Sequence, residues 1–155
     1  MSPQKELRKP HFASAVIYRK TREGLEFLIL NSVLVDPRSG QKSGIKTKFP
    51  GGMQKGPRET VVKTMSREVR EETGLVVRGR RNVWKQSSPS DPNHVQFAFL
   101  IDIDDCRGIL RTEPMVDGCN ELSPPRWVSA QILKRGGLFY THHEVFLAAL
   151  RVLGQ

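Results

Sequence analysis

Gly51-Gly52-Met53-Gln54-Lys55-Gly56-Pro57-Arg58-Glu59, then Thr60 to Ser66, then Arg67-Glu68-Val69-Arg70-Glu71-Glu72-Thr73-Gly74-Leu75, is the stretch on which the fold turns. It reads as a glycine loop feeding a helix. Pro57 suits a first helical turn, where a missing N–H is no loss. Gly74 suits the left-handed position just past a helix end. At about 100° per residue, Glu68, Glu71 and Glu72 project at roughly 0°, 300° and 40°, within one arc. Val62, Met65 and Val69 fall on the adjoining arc, so one face packs on a core and its neighbour carries three carboxylates. Like charges that close repel unless a cation neutralises them. Hard oxygen ligands in such a cluster suit Mg²⁺ or Mn²⁺. The plainer reading is a solvated acidic helix end. Against it, acids near a helix C-terminus oppose the macrodipole, a local conflict of the sort functional sites carry.

These residues resemble the Nudix box, Gly-x5-Glu-x7-Arg-Glu-U-x-Glu-Glu-x-Gly-U, where U is aliphatic. From Glu59 through Arg67-Glu68, Val69, Glu71-Glu72 and Gly74-Leu75 the match is complete. The front departs from it: six residues, not five, separate Gly52 from Glu59. One inserted residue in a glycine-containing loop costs little closure entropy, but it can shift the loop carbonyl of Gly51. The resemblance implies the Nudix fold of the α/β (α+β) class, a mixed β-sheet sandwiched between α-helices. It also implies metal-dependent hydrolysis of a nucleoside diphosphate linked to another group X. Glu68, Glu71 and Glu72 then become metal ligands, with Glu68 also a candidate base. The Gly51 carbonyl joins them, and Glu59 is a second-sphere or water-mediated ligand. Arg67 pairs with Glu59 and orients the acids. A further acid from the loop before the last strand is expected. Glu121 is the first choice, with Glu113 and Asp117 as rivals. Lys48, on the short strand that delivers the glycine loop, and Tyr140 are candidate substrate contacts. Phe12, Trp84 and Phe139 are also aromatic enough to stack on a base, although packing explains each as well. Pro89, fifteen residues after Gly74, resembles a cue in ADP-ribose-cleaving members.

The rest of the chain is consistent with one domain over 11–155 preceded by a short arm, 1–10. With 155 residues and 37% apolar content, there is enough to build a core. No run approaches a membrane span, and the N-terminus has no apolar signal segment. Cys106 and Cys119 stand in no CxxC pair, which fits free thiols in a reducing cytoplasm. The net charge of +9 suits polyanion partners, whether a small nucleotide or the 5′ end of RNA; simple solubility explains it equally well. No RNA-binding motif accompanies it.

Alternating apolar residues predict strands over 12–19 and 26–35, joined as a hairpin, a short strand at 47–49, and further strands at 76–86, 94–102 and 126–128. A turn is expected at 87–93 and a long loop at 104–125. Ser129 predicts a cap for a short helix reaching Lys134. Thr141-His142-His143-Glu144 has the form of a capping box ahead of a helix over 145–153, with His142 and His143 in its first turn rather than on a metal. Three activities follow: a Nudix pyrophosphohydrolase on free nucleotides or their conjugates, an RNA 5′-pyrophosphohydrolase, or a non-catalytic nucleotide sensor that keeps the fold. The inserted residue before Glu59 is the feature that favours the sensor.

Overall fold

A computed structural model describes residues 10–87 and 94–155. The expected arm, the turn after Ser87 and Pro89 therefore lie almost wholly outside the described residues.

Two long strands, β1 (His11–Thr21) and β2 (Gly24–Leu34), form the predicted hairpin, with Tyr18 opposite Phe27 and Thr21 opposite Gly24. Only the far end of β1 pairs with β2. Its near end is taken by β4 (Gly51–Met53), Phe12 opposite Met53 and Ser14 opposite Gly51, while β3 (Lys46–Lys48) lies along β2. The other edge of β1 runs parallel to β7 (Val95–Asp102), which in turn holds β6 (Arg81–Ser87) antiparallel. On the other side of β2 stand β10 (Asn120–Leu122), then β9 (Met115–Asp117), and β11 (Arg126–Ser129) pairs β2 farther along. One parallel contact among antiparallel ones makes the sheet mixed.

Period-2 alternation along β1 divides the core in two. Ala13, Ala15 and Ile17 face α1 (Val61–Thr73) and meet its Met65 and Val69. Val16, with Phe27 and Ile29 of β2, faces α2 (Ala130–Lys134) and α3 (Thr141–Val152), meeting Leu133, Phe146 and Leu150. The sheet is thus covered on both faces, as the alternation predicts.

Four expectations are corrected. Pro57 is not in the helix: α1 starts at Val61, and the Thr60 hydroxyl caps it by accepting from the Lys63 N–H at 3.3 Å. The strand expected over 76–86 is two strands. The first, β5 (Leu75–Val77), pairs only with β8 (Cys106–Gly108) in a separate ribbon. The chain turns a corner between them, with Arg78 N–H donating to Asp105 O at 2.7 Å and Gly79 so close to the Asp105 side chain that a Cβ would meet its carboxyl carbon at 2.8 Å. The segment 104–125 is no loop: it holds the end of a 3₁₀ turn (Ile103–Asp105) and β8, β9 and β10. Finally, Thr141 caps nothing. Helix α3 begins at Thr141 itself, after Tyr140, and has no side-chain cap bond.

Candidate active site

The site is assembled where β4, α1 and the β9–β10 hairpin meet. Gly51 and Gly52 are required there by close approach. A Cβ on Gly51 would lie 2.5 Å from the Ala13 carbonyl oxygen, so only glycine lets β4 run this close to β1. A Cβ on Gly52 would occupy the place of the Glu68 carboxylate. The two glycines therefore let the loop lie directly over the acidic face of α1.

That face is unusually buried. Glu68 and Glu72 are 6% and 2% exposed on a helix whose other buried residues include Met65 and Val69. A charged side chain so placed needs partners, and Arg67 supplies several. Its guanidinium forks onto Glu59, Nε to Oε2 at 2.8 Å and Nη2 to Oε1 at 2.9 Å. Its Nη1 donates to Glu68 Oε1 at 2.9 Å and Glu71 Oε2 at 3.3 Å, and Nη2 also reaches the Met53 carbonyl at 2.9 Å. One side chain thereby ties the glycine loop, Glu59 and two helix acids into a fixed arrangement.

Glu59 is held from all sides. Besides Arg67, it accepts from the Thr64 hydroxyl at 2.7 Å and the Lys55 N–H at 3.0 Å. These bonds, Arg67 foremost, hold its carboxyl down at about 2 against burial. Because the Thr64 hydroxyl donates to Glu59, His11 Nε2, 2.7 Å from the same oxygen, must be the donor in that contact. Glu59 is engaged as an anchor and does not join the carboxylates that converge.

Those that converge are Glu68, Glu71 and Asp117, each offering a carboxylate oxygen within 4.8 Å of the others. Glu72 lies beside them at the base of a cleft of about 450 Å³ lined also by Lys48, Gly51, Asp117 and Asn120. Its Oε1 is 3.4 Å from Lys48 Nζ, and its Oε2 is buried with no hydrogen-bond partner among the described residues. Burial raises the Glu72 carboxyl to about 8; the Lys48 ammonium opposes this and the Glu68 carboxylate reinforces it. An orphaned buried carboxylate oxygen beside three converging carboxylates is a hard-oxygen donor set that fits Mg²⁺ or Mn²⁺.

Glu121 is not brought here. On β10, Asn120 and Leu122 face the cleft, so Glu121 faces away, and it pairs with Lys42 at 3.2 Å. Its rival Asp117 sits at the tip of the hairpin, before Gly118 at φ 59°, and does reach the acids. Tyr140 is 79% exposed and does not line this cleft. Lys48 does, with Nζ 3.0 Å from the Gly51 carbonyl oxygen.

Two contributors carried no local sequence signal. Arg111 donates from Nε to the Glu72 backbone carbonyl at 2.8 Å and from Nη2 to the Ser123 carbonyl at 2.7 Å, clamping the hairpin segment to the end of α1. His142 is buried on α3, and its Nδ1 accepts from the Phe49 N–H at 3.3 Å, fixing the strand that leads into the glycine loop.

Comparison with solved structures finds the same architecture repeatedly. A MutT structure described for the fish pathogen Aliivibrio salmonicida and for Vibrio cholerae is 17% identical, with a TM-score of 0.64 over 92% of this chain and 98% of that one. MutT NUDIX hydrolase from Burkholderia pseudomallei is 18% identical, with a TM-score of 0.63 over 89% and 95%. The NUDIX domain of Shewanella oneidensis NrtR, in complex with ADP ribose, is 17% identical, with a TM-score of 0.62 over 92% and 87%. Comparison with curated proteins finds no match. At these identities the structures speak for the fold alone. The sequence itself matches the NUDIX domain family model over residues 9–149, nearly its whole length and all of the site just described, and on that match the chain belongs to the NUDIX domain family.

Proposed function

We propose that this chain is a divalent-metal-dependent pyrophosphohydrolase cleaving the diphosphate bond of nucleoside diphosphates linked to another group, as nucleoside triphosphates or nucleotide conjugates. The observation that carries this reading is the convergence of Glu68, Glu71 and Asp117 next to the partnerless buried oxygen of Glu72. These four carboxylates, with the Gly51 carbonyl, are the residues that would hold Mg²⁺ or Mn²⁺. Bound there, the ion would neutralise a pyrophosphate the acids alone would repel and lower the pKa of an attacking water.

The protein's own part is positioning, which is most of what phosphoryl chemistry asks of it. Arg67 fixes Glu68 and Glu71 and is itself fixed by Glu59. A carboxylate of the cluster, Glu68 by preference, takes the proton of the attacking water. Lys48 within the cleft and Lys55 at its rim supply positive charge, Lys55 Nζ standing 3.6 Å from Glu71. The sensor reading loses its main support: the loop turns at Gly56, φ 75°, and still sets Glu59 against Arg67.

The test is a panel of nucleoside triphosphates, dinucleoside polyphosphates, ADP-ribose, nucleotide sugars and 5′-triphosphorylated RNA, incubated with Mg²⁺ and resolved by ³¹P NMR. Turnover of at least one small nucleotide, abolished by EDTA, is expected. No turnover of any compound would overturn the reading. Turnover of the RNA alone, with affinity falling steeply as salt rises, would move the substrate to RNA 5′ ends.

A further inference from the structure

Lys48 stands closer to the proposed metal centre than a substrate contact needs to. Its ammonium nitrogen is 3.0 Å from the Gly51 carbonyl oxygen and 3.4 Å from Glu72 Oε1. The Gly51 carbonyl and the Glu72 carboxylate are two of the groups that would hold the divalent ion, and Lys48 stands on the Glu72 oxygen next to the partnerless Oε2. The position is built, not incidental. Lys48 ends β3, its side chain is 17% exposed, and the next residue, Phe49, is fully buried with its N–H bonded to His142. The backbone is thus pinned, and the side chain curls forward onto the carbonyl three residues ahead. Glu72, 2% exposed, has Lys48 as its cationic partner.

We propose that Lys48 is a resident ammonium sharing the metal position, which a divalent ion must displace in order to bind. The inference rests on the metal-centre reading above. Two cations on the same carbonyl and the same carboxylate would repel strongly at such separations, the more so where water is scarce. Lys48 therefore holds the Glu72 side chain in place before the ion arrives. Displaced, its flexible four-carbon stem leaves the ammonium in the cleft that Lys48 already lines. There a substrate phosphate supplies the anion it has lost. Metal and substrate binding are coupled through this one side chain, each favouring the other.

The test is Mn²⁺ binding followed by electron paramagnetic resonance, without substrate, for the wild type, Lys48→Gln and Lys48→Arg. Gln removes the charge and keeps an N–H donor for Gly51; Arg keeps the charge. Affinity is expected to rise about tenfold in Lys48→Gln and not in Lys48→Arg. Equal affinities in all three, or weaker binding by Lys48→Gln, would overturn the proposal and leave the metal centre standing. No Mn²⁺ binding by any of them would overturn both. Should Lys48→Gln not fold, the wild type decides: the side-chain Cε and Nζ resonances of Lys48, read by lysine-selective NMR, are expected to move on saturation with Mg²⁺. Resonances indifferent to Mg²⁺ would overturn the proposal.

Discussion

Helices α1 and α3 cover opposite faces of one sheet, yet they are built on opposite terms. Helix α1 has well-made ends: the Thr60 cap, and Gly74 at φ 85° donating its N–H to Arg70 O. Its middle breaks a rule, burying Glu68 and Glu72 among Met65 and Val69. Helix α3 has an ordinary middle, with Val145, Phe146, Ala149 and Leu150 on the core. Its start breaks a rule, with Tyr140 at φ 34° and no side-chain cap. In α1 the violation lies in side chains and points into a cleft. In α3 it lies in the backbone and points to solvent. The contrast separates a helix that carries chemistry from one that carries packing, and it can be broken at either helix.

The largest effect is expected at Glu72. Replacing it by Gln should lower kcat by about 10³-fold, the scale of removing one key electrostatic group from an active site, measured as Mg²⁺-dependent turnover. Thermal melting in EDTA should show no loss of stability, because the substitution removes a buried carboxylate with an unpartnered oxygen. A large loss of stability with activity intact would reverse the roles of the two helices. Phe146→Ala is the opposite case. Phe146 is fully buried, edge-on to Phe27 at 5.2 Å between centroids. Its truncation should cost about 3–5 kcal/mol in urea unfolding and leave kcat unchanged at temperatures where the variant stays folded.

The difference also explains what could be read from the sequence. The acidic face of α1 was legible because helical periodicity, the closing Gly74 and the Arg67–Glu59 pairing are all local in sequence. The two-faced core was legible because β1 alternates without interruption. Asp117 was not. Which residue of the hairpin faces the cleft is set by the register of β10 on β2, Glu121 opposite Val33. A shift of one residue would exchange Glu121 for its neighbours, and nothing within Asp117 to Glu121 encodes that register. The start of α3 failed for a related reason. Thr141 and Glu144 have the spacing of a capping box, but β3 draws in the preceding chain: Phe139 N–H donates to Thr47 O at 2.9 Å, and the helix starts at Thr141 itself, earlier than a Thr141 cap and the expected span 145–153 allow. Tertiary pairing overrode a local signal.

A smaller effect comes from the packing side of the molecule as a pH dependence. Burial, aided by the Lys48 ammonium, pushes His142 from 6.5 down to about 3. As pH falls below 6.5 the unfolded chain takes up a proton that the folded chain refuses until about 3. The His142 contribution to stability should therefore decline by about 1.4 kcal/mol per pH unit in that window. Glu59 adds to the loss only below 4.5, where the unfolded carboxyl begins to protonate while the folded one stays charged to about 2. Glu72 acts in the opposite sense: with its carboxyl raised to about 8, the folded chain takes up that proton before the unfolded one, and stability rises as pH falls from about 8 to 4.5. Urea unfolding at pH 7, 6 and 5 should therefore give a nearly flat profile between 6 and 5 in the wild type, whereas His142→Gln should gain stability as the pH falls. Equal profiles in both proteins would exclude the His142 contribution.

The smallest effect, and the one that most sharpens the contrast, is at Tyr140. Among the described residues it is the one non-glycine at positive φ, and its 79% exposed ring touches Phe139 edge-on at 4.5 Å. Glycine removes the steric cost of this backbone at some cost in unfolded-chain entropy, so Tyr140→Gly should stabilise the protein by about 1 kcal/mol. Tyr140→Phe retains both the strain and the ring and should leave stability unchanged. If the strain serves only to start α3, both variants turn over nucleotide like the wild type. If it holds an aromatic surface out for a substrate base, Tyr140→Gly gains stability and raises KM, whereas Tyr140→Phe changes neither. In that case α3 contributes to recognition, and the division of labour between the two helices holds for catalysis but not for binding.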